Sequence, residues 1–404
     1  MRVLRNVGLA ATCRPEGDQA NLHPVPDAAL VWDDDQILWV GAERDLPSAF
    51  ATQPSDDAGR RLLIPGLIDC HTHLAFGGWR ADEFERRLRG ESYLDIARNG
   101  GGIASTVRAT RAAPFDDLVS RAQATLGEMA RLGVTTVECK SGYGLSEEHE
   151  LKLLEVYRAL ADAQPLRLAP TLLGAHVVPP EYAGCRDRYV DLLCNRLIPR
   201  VAAARLAVFC DVFVEDTAFT RDEARRVFHA AAAHGLRPKL HADQLHDGGG
   251  AALAAEVGAV SADHLEYVSA DGITRLRDAE VVAVSLPIAT LYLRTPPMPA
   301  RSLIDAGVPV AVATDFNPGS APSYHLPFAL TLACTLQRMT PGEALKGATI
   351  VAARAIGLDA QIGSLEAGKS ADFALIDAPD VAHWLYHLRA NACTAAWVAG
   401  RRIF

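Results

Sequence analysis

The sequence predicts an α/β protein: a (β/α)8 TIM-type barrel with a small discontinuous β-sandwich domain contributed by both chain ends. Three observations predict it. Eight short apolar runs alternate with helical segments through the middle of the chain, short β-like pieces with turn residues stand at both ends, and most of the eight runs finish on a residue able to ligate a metal or move a proton.

The chain opens with "RVLRNVGLAAT" and "AALVWDDDQILWVGA", in which an Asp-rich turn separates two apolar runs, and continues into "RRLLIPGLIDCHTHL". Such runs predict hairpins in a β layer. After Gly66 the pattern changes to βα units. The eight apolar runs are, in order, "LIDCHTHL", "VTTVECK", "LRLAPTLLGAH", "AVFCDVFVED", "LRPKLHAD", "AVSADHLE", "VVAVSLP" and "VPVAVATDFN". The helical segments "FDDLVSRAQATLGEMARLG" and "RDEARRVFHAAAAHG" precede the second and fifth, and both end in the Gly of a helix stop. Eight such units over about 250 residues are the usual measure of a closed barrel; an open doubly wound sheet is the alternative arrangement. Beyond it, "GSLEAGKSADFALIDA" and "ACTAAWVAGRRIF" return to short β pieces. Chain ends often lie together, so residues 1–65 plus 360–404 are expected to form one composite β domain and 66–359 the barrel.

Composition and charge exclude several classes of function. At 404 residues, 49% hydrophobic and 22% charged, the chain reads as an ordinary globular protein, not a disordered or fibrous one. The formal charge of -9 without a basic run argues against a nucleic-acid partner. No apolar stretch approaches the roughly 20 residues of a membrane span, and "MRVLRNVGLAATC" lacks the apolar centre of a secretory signal. Eight cysteines without a CxxC pair read as thiols in a reducing compartment, so a cytoplasmic location is expected, with no membrane partner.

The first run ends in His71 and His73, the third in His176, the fifth in His241, the sixth in His264 and the eighth in Asp315. In a parallel barrel all strand C-termini meet at one face, so these residues converge. Residues i and i+2 of a strand share a side, which lets His71 and His73 reach one ion. With His241 and Asp315 they make three imidazoles and a carboxylate, a donor set suited to zinc or iron with water completing the sphere. A lone strand-end histidine is ordinarily a hydrogen-bonded core residue; the shared position of several is what points to a metal.

"PGLIDCHTHLAFGG", "KLHADQL", "SADHLE" and "VATDFNPGS" together resemble the amidohydrolase superfamily of metal-dependent barrels. Within it, "FGGWRADEF", "GGGIASTVRAT", "ECKSGYGL", "LLGAHVVP" and "TDFNPGSAPS" resemble the imidazolonepropionase family, from about residue 60 to beyond residue 350. The resemblance implies hydrolytic ring opening of 4-imidazolone-5-propanoate to N-formimidoyl-L-glutamate, a step of histidine degradation. It implies one Zn2+ or Fe3+ per subunit on His71, His73, His241 and Asp315, substrate contacts from Arg80, Tyr143, His176 and Gln244, and Asn317, Gly319 and Ser320 at the product-like end. It also implies a homodimer. Another cyclic-amide hydrolase or an aminoazine deaminase of the same superfamily is the alternative, and a catalytically silent barrel a third.

Each implied role has a physical reason. Arg80 can clamp the propionate through a bidentate fork, Tyr143 sits in the Gly-flanked turn "SGYG", and "FNPGS" follows the eighth run, where barrels bind anions through backbone N–H groups. His176 is placed to polarise the ring carbonyl. Some relatives carry Glu where this chain has Gln244, and an amide cannot act as a base. Asp315 is therefore the expected base, with His264 supporting the oxyanion or shuttling the proton. Within Gly100–Thr110 the three glycines are expected as a flexible loop over the barrel mouth, with Arg108 and Arg111 as helix-surface charges. The fourth run has no Lys to bridge two ions, so a single metal follows, and Lys140 is taken as a structural or substrate-facing charge.

Overall fold

A computed structural model describes residues 1–91, 95–96 and 100–404. The N-terminal runs form β1 (Arg2–Ala11), β2 (Pro24–Asp33) and β3 (Gln36–Ala42), an antiparallel meander whose second turn is the Asp-rich segment, followed by β4 (Ser55–Asp57) and β5 (Leu62–Pro65), both parallel to β1. The chain leaves this layer at Gly66, where a Cβ would stand 2.3 Å from the Thr135 hydroxyl.

The eight apolar runs become eight strands of one parallel sheet: β6 (Leu67–Asp69), β7 (Val134–Lys140), β8 (Arg167–Ala175), β9 (Phe209–Phe213), β10 (Arg237–Ala242), β11 (Ser261–His264), β12 (Val282–Ser285) and β13 (Val310–Val312), in sequential order. Strands covered on both faces have no solvated side, which is why they read as continuous apolar runs; every residue of β7 is buried. The ring is joined just beyond β6 and β13, where Asp315 N donates to His71 O at 3.0 Å and His73 N to Phe316 O at 2.8 Å. The sheet is thus a barrel, not an open doubly wound sheet.

Helices cover the barrel as their local chemistry dictates. Phe115–Arg131 carries Asp116 and Asp117 in its first turn and Arg131 in its last, which complements the helix dipole, and it stops at Gly133 with φ 88°. Arg221–Ala233 begins with a reciprocal capping box between Thr220 and Glu223. The glycines at 100–102 lead into a helix, Ile103–Ala112, entered through Gly102 at φ 65°, which carries both arginines. Its two arginines differ: Arg108 is exposed, while Arg111 is half-buried and donates to Gly144 O and Leu145 O.

After the barrel, β14 (Phe373–Ile376), β15 (Cys393–Val398) and β16 (Arg401–Arg402) add to β5, giving the order β16-β15-β14-β5-β1-β2-β3 with β4 on β1. Phe373 on β14 and Trp32 on β2 are three strand spacings apart, about 14 Å in a flat sheet. Their ring centroids lie 5.2 Å apart. The sheet therefore folds over on itself like a sandwich, closing on a separate core of Leu30, Trp32, Leu63, Phe373 and Trp397. All eight cysteines are free thiols. Among the described residues no helix is long and apolar enough to cross a membrane.

Candidate active site and metal centre

The barrel brings the strand-end residues together as its topology requires. His71 and His73 follow β6, His176 follows β8, His241 lies in β10, His264 ends β11 and Asp315 follows β13; all are buried. The His71 and His241 rings are 4.6 Å apart, and Asp315 Oδ1 stands 3.5 Å from His71 Nε2 and 3.4 Å from His73 Nε2. Two sets of donor atoms, His71/His73/Asp315 and His71/His241/His264, each lie within 4.8 Å of one another and share His71.

Their hydrogen bonding fits an ion. Asp263 Oδ2 lies 2.6 Å from His71 Nδ1, and Asp211 Oδ1 lies 3.0 Å from His241 Nδ1. A carboxylate on Nδ1 makes that nitrogen the N–H donor and turns the Nε2 lone pair to the front. The Nε2 atoms of both rings are buried and have no partner. Buried polar atoms left without a partner are costly, and a cation in front of these two would satisfy them.

The electrostatics agree. Burial raises the Asp315 carboxyl, but the neighbouring His71 and His73 imidazoles outweigh it and hold Asp315 well below the usual carboxylate range. Burial pushes His73 down, His176 well down, and His241 down to about 3. Burial and Lys140 also pull on His71, yet Asp263 and Asp315 overcome them and raise it to about 9, so a cation at its Nε2 must displace a proton. Two site residues, His264 at φ 81° and Asp315 at φ 55°, hold left-handed backbone that non-glycine residues seldom adopt.

In front of this cluster is a cavity of about 560 Å3, lined among others by Arg80, Tyr143, His176, Gln244, Asn317 and Ser320. Arg80 is buried, yet its Nε and Nη1 have no hydrogen-bond partner, and its nearest carboxylate, Glu83, is 3.8 Å away. Gly319 makes room for it, since a Cβ there would lie 1.1 Å from Arg80 Nη2. The Asn317 amide is engaged in its own turn: it donates to Asp315 O and Ser320 Oγ and accepts from Gly319 N and Ser320 N. It shapes the loop around the guanidinium. Tyr143 and His176 form one wall, with ring centroids 5.5 Å apart.

His176 differs from expectation in its proton. Its Nδ1 lies 3.0 Å from Gly142 O and therefore carries the hydrogen, and burial keeps the ring neutral. Nε2 is then an acceptor. Polarising a carbonyl oxygen needs a donor, which this tautomer does not offer.

Sequence reading missed the layer beneath. Lys140 is fully buried between Glu138, Asp211 and Asp263, at 2.8, 2.7 and 3.5 Å, so it is a structural charge and does not face the substrate cavity. A signal was present: charged residues inside strands buried on both faces persist only when paired. The apolar lining by Ile103, Phe213 and Leu293 comes partly from connections with no motif.

The chain matches the Amidohydrolase family over residues 62–403. It is 50% identical to the imidazolonepropionase of Cupriavidus necator over 92% of this chain and 89% of that one. It is 47% identical to that of Symbiobacterium thermophilum over 94% and 90%. Among solved structures, an adenosine deaminase from Xanthomonas campestris with bound zinc has a TM-score of 0.76 at 19% identity, covering 99% of this chain and 92% of that one. Guanine deaminase from E. coli has 0.74 at 16%, covering 100% and 99%. These two share the fold. Matched along nearly its whole length, the chain belongs to the amidohydrolase family and, within it, to the imidazolonepropionases.

Proposed function

We propose that this chain hydrolyses the ring of 4-imidazolone-5-propanoate to N-formimidoyl-L-glutamate. One observation carries the reading beyond family membership: a buried guanidinium with two unpartnered nitrogens faces the same cavity as the imidazole and carboxylate cluster. A substrate that joins a carboxylate to a hydrolysable ring meets both. The relatives at 47% to 50% identity favour this substrate over another cyclic amide or an aminoazine.

His71, His73, His241 and Asp315 would hold the ion. A Zn2+ or Fe3+ bound there supplies a Lewis acid and makes water a nucleophile at neutral pH. Arg80 takes the propionate in its fork, over Gly319 and beside the turn ordered by Asn317 and Ser320. Tyr143 and His176 line the ring's flank, and His176 Nε2 accepts a ring N–H. Gln244 orients the ring or the attacking water by hydrogen bonds alone. Asp315 is held ionised and takes the proton of that water. His264, whose ring lies 5.8 Å from that of His71 and lines the same cavity as Asp315, relays the proton to the ring nitrogen as the C–N bond breaks.

The test is purified protein with 4-imidazolone-5-propanoate, following the ring absorbance with and without a chelator. Loss of absorbance that the chelator abolishes is expected; an unchanged ring in metal-replete protein removes the reading. The working unit proposed is a cytoplasmic homodimer, on the strength of the family resemblance, and light scattering of the purified protein measures it.

A further inference from the structure

Lys140 is an ammonium sealed inside the barrel. It ends β7 with 0% exposure, and its Nζ stands 2.8 Å from Glu138 Oε1, 2.7 Å from Asp211 Oδ2 and 3.5 Å from Asp263 Oδ2. A buried cation is tolerated only when carboxylates surround it. Two of its partners are engaged again on the far side. Asp211 turns its other oxygen to His241 Nδ1 at 3.0 Å, and Asp263 Oδ2 also meets His71 Nδ1 at 2.6 Å.

The remaining contacts hold this frame in place. Ser261 Oγ donates to Asp263 Oδ1 at 2.5 Å, while Glu138 accepts from the Thr171 hydroxyl and, at 3.3 Å, from Thr72 N, the residue between His71 and His73. Strands β7, β9 and β11 each contribute a carboxylate to the one ammonium. A second buried lysine, Lys239, donates to Ala355 O at 3.0 Å and lies over the Phe209 ring. Lys140 is the group that touches both carboxylates behind the histidines.

We propose that Lys140 is a positioning residue for the metal centre: by holding Asp211 and Asp263 together it fixes His71 and His241 with Nε2 turned to the cavity, so one ammonium sets the metal affinity of two ligands. The proposal rests on the reading that His71 and His241 are ligands. Without the ammonium, the two carboxylates repel in a dry space, Asp263 keeps only Ser261 beside its imidazole, and both rings lose the common anchor that orients them. Partners behind metal ligands ordinarily matter about 10- to 100-fold in metal affinity; here one residue acts on two rings.

The full chain, stripped of metal, is titrated with Zn2+ against a competing chelator, and the visible spectrum of the Co2+-substituted protein is recorded in parallel. One ion per wild-type chain is expected; no binding by the wild type would remove the ligand reading itself. For Lys140→Gln, about 10- to 100-fold weaker Zn2+ binding and shifted, weakened Co2+ bands are expected, with the far-UV circular dichroism of the wild type. Affinity within about twofold of wild type together with an unchanged Co2+ spectrum overturns the proposal. Should Lys140→Gln not fold, Lys140→Met carries the test, because it fills the same buried space without the charge and leaves Asp211 and Asp263 in the chain. A loss of affinity with altered Co2+ bands supports the proposal, and wild-type values for both overturn it.

Discussion

Two polar layers lie one above the other in the barrel, and they differ in what is left unpaired. In the upper layer the Nε2 atoms of His71 and His241, the Nδ1 of His264 and two nitrogens of Arg80 are buried without hydrogen-bond partners, and His264 and Asp315 hold left-handed backbone. In the lower layer Lys140, Glu138, Asp211 and Asp263 are equally buried, and each has close partners of opposite charge or hydrogen-bonding type. Evolution tolerates unpaired polar atoms where a ligand completes them. The contrast therefore separates groups that meet ligands from groups that aim them.

Attacking the upper layer should cost most. Removing the metal with a chelator is expected to abolish ring opening, and adding back Zn2+ to restore it; steady-state assays before and after reconstitution measure both. Asp315→Asn removes the proposed ligand and the proposed proton acceptor at once, and a fall of about a thousandfold or more in kcat is expected. Near-normal turnover in a metal-loaded Asp315→Asn protein would sink that assignment.

The substrate end sharpens the comparison. Arg80→Lys keeps the charge but loses the fork, and a fall in kcat/KM of about tenfold or more, mostly through KM, is expected. Gly319→Ala leaves Arg80 in the chain but puts a methyl group where its guanidinium lies. The same rise in KM should follow without loss of bound metal; unchanged KM would mean that Arg80 does not bind the carboxylate in this place.

The smallest effect belongs far from both layers. The Pro341–Gly347 helix is held by a capping box between Thr340 and Glu343, and Arg301 pairs with Glu343 at 3.0 Å. Thr340→Ala should cost about 1 kcal/mol of stability with kcat unchanged, as read from denaturant curves and assays. Burial raises the Glu343 carboxyl, but the hydrogen bonds from Arg301 and Thr340 outweigh it and depress it overall. A depressed carboxyl contributes stability that is complete above the ordinary glutamate value of about 4.3 and is lost as pH falls through the lower folded value. Glu343→Gln should therefore lessen the acid dependence of stability below about pH 4, as melting curves at several pH values would record.

Much of the upper layer was legible in the sequence because a parallel barrel brings strand ends together whatever lies between them. His71, His73, His241 and Asp315 needed only their positions at the ends of apolar runs. The lower layer was not legible in the same way. The pairing of Lys140 with Asp211 spans 71 residues and that of His71 with Asp263 spans 192, and a charged residue in an apolar run announces its burial without naming its partner. The glycines at 100–102 hid a different detail. They read as a loop, and Gly102 supplies the positive φ at the head of a helix. The proton on His176 depended on a carbonyl 34 residues away, which no motif records.

The hydrogen bonds that join the barrel's two ends come from the backbone of His71, His73, Asp315 and Phe316, and Thr314 adds a further link by donating from its N and Oγ1 to Asp69 across 245 residues. The proposed metal centre is therefore also the buckle of the ring. On a chain emerging from its N-terminus, β6 and its two histidines must wait for the eighth strand before the centre exists. An ion held by side chains on both sides of that join would bind only the closed ring, and so add its binding free energy to keeping the barrel shut.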